Sequence, residues 1–586
     1  MSLVVILDSG LDVSYINTHQ IIGGVTFYKY NNVISMRSDS YHDNLGHGTA
    51  IYNIISKKCK NSKFFIIKIF DTSFECDPDL FKSALEYIQN NFNSSIIVIP
   101  SGAILIDNRV KIKEHIDALY HTGSIIISAF NNQNAISYPA AFESVIGVDT
   151  SPSITSEQGY IVIKGSPVDI LFKEHSYRIK WKNNITIIDK GNSYAAAECA
   201  TLIIQAYDFL CTSNKEELLK FIQNKNYNVN FINLNWETIL NPIASITSRR
   251  LKAIAFPFSK EIRALASNED LLNLDIVGYY DIRQSGHVGF SINKILNYSS
   301  NTKIINDITK LDWTNSNFDL IICGHCNQIN ILTKNNWLNE LLHSANCHEK
   351  KLYSFDYIKN ISDNHLCIPK INKYTGNTFG KMWNIEAPVI SVFGTSSVQG
   401  KFSLQLSLRR KFIKEGYSVA QISTEPTGTI FGMDFTCPIG YNSQINLSGN
   451  EAALFFNEIV HRCDLKNPDI IITGCQSATI PHNLFHTSYL TFPQYEFLVG
   501  INPDAVLLVV NSFDEINYIK NTIDFIESSI GTQVIGCIIS PVQKNGVHCE
   551  FKNANDLSKI LCKEVWEYKE ITNKVFTAII NFFGGV

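Results

Sequence analysis

The chain has 586 residues, 45% of them hydrophobic and 18% charged, an ordinary globular composition with room for three or four domains of about 100–200 residues each. A net charge of −4 offers no basic surface for nucleic acid, and no apolar run reaches the roughly 18 residues of a membrane-spanning helix. The 14 cysteines are scattered without the close spacing of a small disulfide framework and read as free thiols of a reducing compartment.

The chain opens on an apolar run, Leu3-Val4-Val5-Ile6-Leu7, that ends in Asp8-Ser9-Gly10. It has no basic segment before it and is too short for a signal peptide, so it reads as a buried strand. A carboxylate at the carboxyl end of such a strand is where open α/β sheets place their sites, although aspartate also closes ordinary turns. Next comes Asp43-Asn44-Leu45-Gly46-His47-Gly48-Thr49-Ala50, then Ile51, Ile54 and Ile55 at helical spacing. His47 therefore starts a helix. A lone histidine is more often structural or superficial, but two flanking glycines let other groups approach it.

Strands over 64–69, 96–99, 124–128 and 144–148 alternate with helices over 80–92 and 110–120, the βαβ rhythm of a parallel, doubly wound sheet. Asp8, Ser101-Gly102 (after Pro100) and Asn131 (after Ala129-Phe130) all fall at strand carboxyl ends. Farther on, Gly191-Asn192-Ser193-Tyr194-Ala195-Ala196-Ala197 leads into a small-residue helix. A serine there has free N–H groups beside it, which suits a nucleophile with an oxyanion hole; serine is also a common helix cap.

In order and context, Asp8-Ser9-Gly10, His47-Gly48-Thr49 and Gly191-Asn192-Ser193-Tyr194-Ala195-Ala196 resemble the three motifs of subtilisin-like serine peptidases. His47 follows Asp8 by 39 positions (47 − 8) and Ser193 follows His47 by 146 (193 − 47), and the order Asp, His, Ser is the subtilisin order. Ala129-Phe130-Asn131 with Tyr138-Pro139-Ala140 is similar to the oxyanion-asparagine segment. The resemblance implies Ser193 as nucleophile, His47 as general base, Asp8 as its orienting carboxylate and Asn131 as oxyanion donor. It makes Ser101 and Gly102 the floor of the P1 pocket and the partner of extended substrate backbone. Asn192, Ala197, Phe130 and Pro100 depart from the usual pattern; they alter the groove and spare the triad. With neither prodomain nor secretion signal ahead of Asp8, an intracellular, dedicated processing peptidase is expected.

Residues 213–250 read as a linker that begins with a helix over 215–223 and continues through an Asn-rich loop over 224–235 to Thr247-Ser248-Arg249-Arg250. From Leu251, strand-like runs at 251–258, 274–279 and 318–323 point to a smaller Rossmann-like α/β domain ending near 386. It has no Gly-x-Gly-x-x-Gly, so dinucleotide binding is unsupported. Cys323-Gly324-His325-Cys326 with Cys347-His348 matches no standard zinc spacing, and no metal site is assigned.

A strand over 387–393 runs into Gly394-Thr395-Ser396-Ser397-Val398-Gln399-Gly400-Lys401-Phe402-Ser403 and a helix, the context of a phosphate-binding loop rather than an ordinary βα connection. Its spacing is similar to the loop of dethiobiotin-synthetase-like P-loop proteins. Gly394, Thr395, Ser396, Gly400, Lys401, Phe402, Ser403 and Glu425 are the candidate nucleotide contacts, for ATP with magnesium. Phe402 occupies the usual magnesium Ser/Thr position and puts the metal in doubt. Further strands over 417–423, 469–473 and 504–510 follow, and Gln476 and Ser477 are expected to face the phosphates. Residues 251–586 resemble a bacterial peptide-maturation protein family, on Phe256-Pro257-Phe258-Ser259-Lys260, the Gly394 loop, Thr424-Glu425-Pro426, Phe431-Gly432-Met433-Asp434 and Asn511-Ser512-Phe513-Asp514-Glu515.

The expected architecture is α/β: a subtilisin-like parallel-sheet domain (1–212), the linker (213–250), a Rossmann-like domain (251–386) and a P-loop NTPase-like domain (387–586). The expected function is a cytoplasmic serine endopeptidase processing a precursor peptide, needing no cofactor for cleavage. Its partners would be that peptide and peptide-modifying enzymes of the same pathway, with neither nucleic acid nor membrane. An ATP-dependent peptide-modifying enzyme centred on the P-loop and a non-catalytic precursor-binding scaffold are the alternatives.

Overall fold

The computed structural model describes the chain except residues 1, 16–17, 105–108, 155–158, 224–249, 297–298, 315–316, 359–363, 369, 377, 440–443, 542–548, 552, 569–570 and 585–586. The chain divides into two compact units, Met1–Phe231 with Asn377–Asn384, and Ile232–Gly376 with Ile385–Val586.

In the first unit the described strands β1 (Leu3–Asp8), β2 (Ile21–Tyr30), β3 (Val33–Ser38), β4 (Lys63–Lys68), β5 (Ile96–Ile99), β6 (Ile125–Ala129), β7 (Val145–Ser151), β8 (Tyr160–Val162) and β9 (Ile170–Lys173) form one sheet. Their order is β3-β2-β4-β1-β5-β6-β7-β9-β8. The strands from β2 to β9 pair in parallel, and β3 and β8 close the edges antiparallel. Helices α1 (His47–Lys58), α2 (Pro78–Asn91), α3 (Arg109–His121), α4 (Asn192–Leu210) and α5 (Lys215–Ile222) complete the unit, together with a hairpin of β10 (Tyr177–Lys180) and β11 (Thr186–Asp189).

The apolar run of β1 is continuous because both faces of the sheet are covered. Val4 and Ile6 enter the cluster that includes Ile51 of α1 and Ile203 of α4, while Val5 and Leu7 enter the cluster that includes Leu85 of α2 and Ile116 of α3. Each such side chain, fully buried, contributes about 1.5–3 kcal/mol. The strand order reverses direction at β1, which lies between β4 and β5. That reversal opens a crevice at the carboxyl ends of β1 and β5.

Two features of this unit differ from the sequence expectation. Helix α5 is not linker, since Leu218, Leu219 and Ile222 are buried in the same cluster as α4; the rest of the expected linker, 224–249, lies outside the described residues. Residues 378–384, expected at the end of the Rossmann-like domain, instead pack into the first unit, with Trp383 against the α2–α3 cluster. The β2–β3 hairpin carries its signal in Asn31-Asn32, both at positive φ (48° and 61°), as a two-residue hairpin turn requires.

The second unit contains two parallel sheets. One has the order β14-β13-β12-β15-β16-β17, from β12 (Lys252–Phe256), β13 (Asp275–Asp281), β14 (Ile305–Asp307), β15 (Leu320–Cys323), β16 (Lys351–Ser354) and β17 (His365–Leu366). The other has the order β20-β19-β21-β18-β22-β23-β24, from β18 (Val389–Gly394), β19 (Val419–Ser423), β20 (Phe435–Thr436), β21 (Ile470–Gly474), β22 (Ala505–Val510), β23 (Gln533–Ile539) and β24 (Glu564–Glu567). The two sheets share a core in which Leu406, Ile430, Phe431 and Met433 lie with Leu251, Ala255, Ile262 and Tyr353. That shared core makes one unit of what reads in sequence as separate domains, 251–386 and 387–586. The strand order of both sheets also reverses at their first strands, β12 and β18.

Candidate functional site

The crevice of the first unit holds a carboxylate–imidazole pair. Asp8, fully buried at the end of β1, has both carboxylate oxygens 2.9 Å from His47 Nδ1. A carboxylate only accepts, so Nδ1 carries the proton and Nε2 is left as the basic nitrogen. Asp8 is fixed in turn by the Ser9 N–H (2.7 Å) and Ser9 Oγ (3.0 Å), and Ser9 Oγ accepts from the Gly48 N–H at 2.9 Å. A Cβ on Gly48 would lie 2.3 Å from the Gly10 carbonyl oxygen, so only glycine lets α1 settle onto the Asp8 turn. Burial pushes the His47 pKa down, but the charge and hydrogen bond of Asp8, with Asp43 and Asp189 farther off, more than offset it and the net shift is upward.

The start of α1 is held by a residue to which the sequence reading gave no role. Gly46, the residue before the helix, sits at φ 94° and offers no side chain to cap it. Asp43, 1% exposed, reaches over instead. Its Oδ1 accepts from the Leu45 N–H (3.0 Å) and Gly46 N–H (2.6 Å), and its Oδ2 from the Thr49 N–H (2.9 Å) and hydroxyl (2.6 Å). An acidic residue three positions before a glycine-started helix was the available signal. The His47 ring is flanked edge-on by Phe74 at 5.3 Å and by the tilted ring of Tyr194 at 5.7 Å, the latter adjacent in sequence to the candidate nucleophile.

Ser193 stands in the first turn of α4, where its N–H has no intrahelical acceptor. Its Oγ donates to the Pro100 carbonyl at 2.6 Å, and among the described residues no hydrogen bond joins it to His47. Pro100, which has no N–H to offer substrate, thus provides an acceptor for the serine. Asn192, an apparent departure from the family pattern, is buried and tied on every side. Its Nδ2 donates to Asp149 Oδ1 (2.8 Å) and the Phe130 carbonyl (3.0 Å), its Oδ1 accepts from Thr150 (2.7 Å), and its N–H donates to Asn132 Oδ1 (3.1 Å). These bonds stitch the serine turn to the ends of β6 and β7. Asn131 Nδ2 donates to the Gly102 carbonyl at a long 3.4 Å, weak enough for the amide to be redirected.

Ser101 and Gly102 line an apolar cavity of about 140 Å³ with Phe70, Phe74, Phe81 and Ile112. Phe74 belongs to both this cavity and the His47 surround, so the cavity adjoins the imidazole.

In the second unit the Gly394–Gly400 loop joins β18 to the helix Lys401–Lys414. Lys401, 7% exposed, donates through Nζ to the Ser396 (2.5 Å) and Ser477 (2.9 Å) carbonyls, and burial pulls its pKa down to about 8. The Ser396 N–H donates to Gln399 Oε1 (2.9 Å), Thr395 donates to Asp514, and Ser396 Oγ accepts from Asn511 Nδ2 (3.0 Å). Gly400 precedes the helix at φ 88°, and the Ser403 carbonyl accepts from the Ser407 hydroxyl. Phe402 packs its ring against Phe431 at 5.6 Å, so it is core rather than a nucleotide contact. Gln476 is turned to the Thr424 carbonyl (2.5 Å). Glu425 lies 3.6 Å from Lys260; burial raises its pKa despite the lysine charges. A basic loop with backbone N–H groups at a helix start fits a phosphate; the phenyl ring of Phe402 does not fit magnesium.

The Cys323–Cys326 segment also differs from a ligand cluster. Cys323 and Cys326 are buried with their sulfurs 3.6 Å apart, while His325 Nδ1 pairs with Asp356 at 2.7 Å. His348 turns back to the Ser344 carbonyl. Among the described residues no three His, Cys, Asp or Glu side chains gather as a metal site.

Residues 375–550 match a family described as a domain of unknown function (DUF1611_C) P-loop domain. The chain is 24% identical over 230 residues to subtilisin DY of Bacillus licheniformis, a match covering 36% of this chain and 78% of that protein. Among solved structures, a DUF1611 family protein from Anabaena variabilis aligns at a TM-score of 0.40 and 14% identity, over 57% of this chain and all of that one. The epidermin leader peptide processing serine protease of Staphylococcus aureus aligns at 0.33 and 14% identity, over 39% and 72%. The chain thus joins a subtilisin-like region to a DUF1611 P-loop domain. Among the described residues no helix is long and apolar enough to cross a membrane.

Proposed function

We propose that the first unit is a serine endopeptidase, with Ser193 as nucleophile, that removes a segment from a precursor peptide in the cytoplasm. The observation that carries the reading is the Asp8–His47 pair, with both carboxylate oxygens 2.9 Å from Nδ1, at the sheet's reversal point beside a serine at a helix start. In this reading the Ser193 side chain leaves the Pro100 carbonyl and gives its hydroxyl proton to His47 Nε2. The serine oxygen attacks the scissile carbonyl as Nε2 takes that proton, and Asp8 stabilises the imidazolium. The Ser193 N–H and the Asn131 amide meet the developing oxyanion. Collapse breaks the C–N bond, and Nε2 returns the proton to the leaving amine. Water, deprotonated by the same nitrogen, releases the acyl group. The aromatic cavity by Ser101 and Gly102 favours an apolar substrate side chain.

The precursor role is supported by the fusion itself, since the second unit carries motifs resembling peptide-maturation proteins, and the fourteen free cysteines suit a reducing compartment. Peptide-modifying enzymes of the same pathway are the partners in this reading. The test is labelling of the full chain with a fluorophosphonate, followed by mass spectrometry of candidate precursors. Labelling and cleavage that vanish together in Ser193→Ala are expected. No label on the wild type, or a label that survives Ser193→Ala, overturns the reading and leaves the scaffold.

A second reading, carried by the buried Lys401 and the loop N–H groups, is that the second unit binds a nucleotide through its phosphates. Gly394, Thr395, Ser396, Gly400 and Lys401 hold them, and Glu425 with Lys260 faces the rest of the ligand.

A further inference from the structure

Residues 378–384 belong to the first unit although the chain on either side of them, ending in β17 and resuming in β18, builds the second. Their central side chain reaches two residues that hold the nucleophile turn, Asp149 and Phe130. Lys381, 3% exposed, places Nζ 2.8 Å from Asp149 Oδ2 and 5.6 Å from the centre of the Phe130 ring. The other oxygen of Asp149 accepts from Asn192 Nδ2 at 2.8 Å, and Asn192 is bonded to Ser193 through the chain. Phe130 likewise supplies the second acceptor of Asn192 and precedes Asn131.

We infer that Lys381 is a positioning residue for Ser193, acting through Asp149 and Asn192, so that the nucleophile turn is completed by a strap drawn from the second half of the chain. This rests on the peptidase reading for its catalytic consequence, but the strap-to-turn coupling does not. Asp149 is 4% exposed, and burying a carboxylate is costly unless a cation pairs with it. Without Lys381 the carboxylate is left buried and unpaired, its side chain turns from Asn192 toward water, and the charge-assisted bond to Asn192 is given up. The Gly191–Tyr194 turn then loses one of the bonds that aim the serine. Lys381 pairs with Asp149 of β7 and is not among the residues that line the cavity at Ser101, so its effect falls on the rate of reaction at Ser193 and not on substrate affinity.

The experiment uses the full chain as wild type, Lys381→Met, Asp149→Asn and the double variant. The fluorophosphonate labelling rate and the peptide kcat and KM are read, together with hydrogen exchange at residues 191–194 on a Ser193→Ala background. Lys381→Met is expected to lower labelling and kcat at least tenfold, with KM within twofold, and to speed exchange at the turn but not in β1 or β5. Adding Asp149→Asn removes the unpaired charge and keeps an acceptor for Asn192. It is expected to bring the rate back to within threefold of Asp149→Asn alone. Wild-type rates and exchange in Lys381→Met overturn the inference. So does a loss spread through the whole unit, or one as large in the Asp149→Asn background. If the wild type neither labels nor cleaves, the peptidase reading falls by itself. Exchange at 191–194 then decides the strap: faster in Lys381→Met supports it, unchanged overturns it.

Discussion

Asp43 replaces the missing cap of the helix that carries His47, and Asp43→Ala removes four accepted hydrogen bonds at once. The donors at Gly46 and Thr49 are buried, and each buried donor left without an acceptor costs about 1–3 kcal/mol. The half-buried Leu45 N–H regains water. The two buried N–H groups together cost about 2–6 kcal/mol, partly offset because a carboxylate no longer has to be buried; a net loss of about 3 kcal/mol follows. In a unit of this size each kcal/mol moves Tm by about 2–4 °C, so the first thermal transition of the full chain falls by about 6–12 °C. A shift of His47 by even about 1 Å lowers the labelling rate by about 100-fold while the unit is still folded. Asp43→Asn keeps one acceptor oxygen and falls between the two. Calorimetry beside fluorophosphonate labelling reads both effects. A Tm within about 2 °C of wild type for Asp43→Ala refutes the capping account, and a lower Tm with an unchanged labelling rate refutes its link to the imidazole.

The upward shift of His47 sets a pH profile. Catalysis needs the neutral imidazole, so the labelling rate rises with pH through an inflection above the ordinary histidine value of about 6.5. The stabilisation by protonated His47 has the opposite sense: it is full below the unfolded value and lost as pH rises through the folded one. Asp8→Asn moves the inflection down and costs about 10⁴ in rate; an inflection at or below about 6.5 in the wild type contradicts the role given to Asp8. In the second unit, Lys401 is charged only below about 8. Calorimetric binding of inorganic pyrophosphate is therefore expected to weaken above that pH and to drop at least tenfold in Lys401→Met. Equal affinity in that variant removes the phosphate role of the loop.

Much of this protein is written locally. The run Leu3 to Leu7, the glycines around His47 and the small-residue start of α4 each specify their own strand, turn or helix through short-range sterics and burial, and the motif order placed Asp8, His47 and Ser193 in sequence. The Gly394 loop is legible for the same reason, since a strand, a glycine-bounded turn and a helix are consecutive in the chain. The partners of those residues are set by contacts between distant segments. Asn192 looks like a departure from a motif until Asp149, Phe130 and Thr150 surround it, and Pro100 looks like a lost N–H until its carbonyl receives the Ser193 hydroxyl. Phe402 occupies a nominal metal position in the loop, yet its ring joins the core shared by two sheets. Strand order decides which carboxyl ends meet in a crevice, and no local periodicity encodes strand order. Least legible of all was Lys381: a lysine between two strands of the second unit carries no local sign that its own short segment packs into the first, where its ammonium pairs with the buried Asp149.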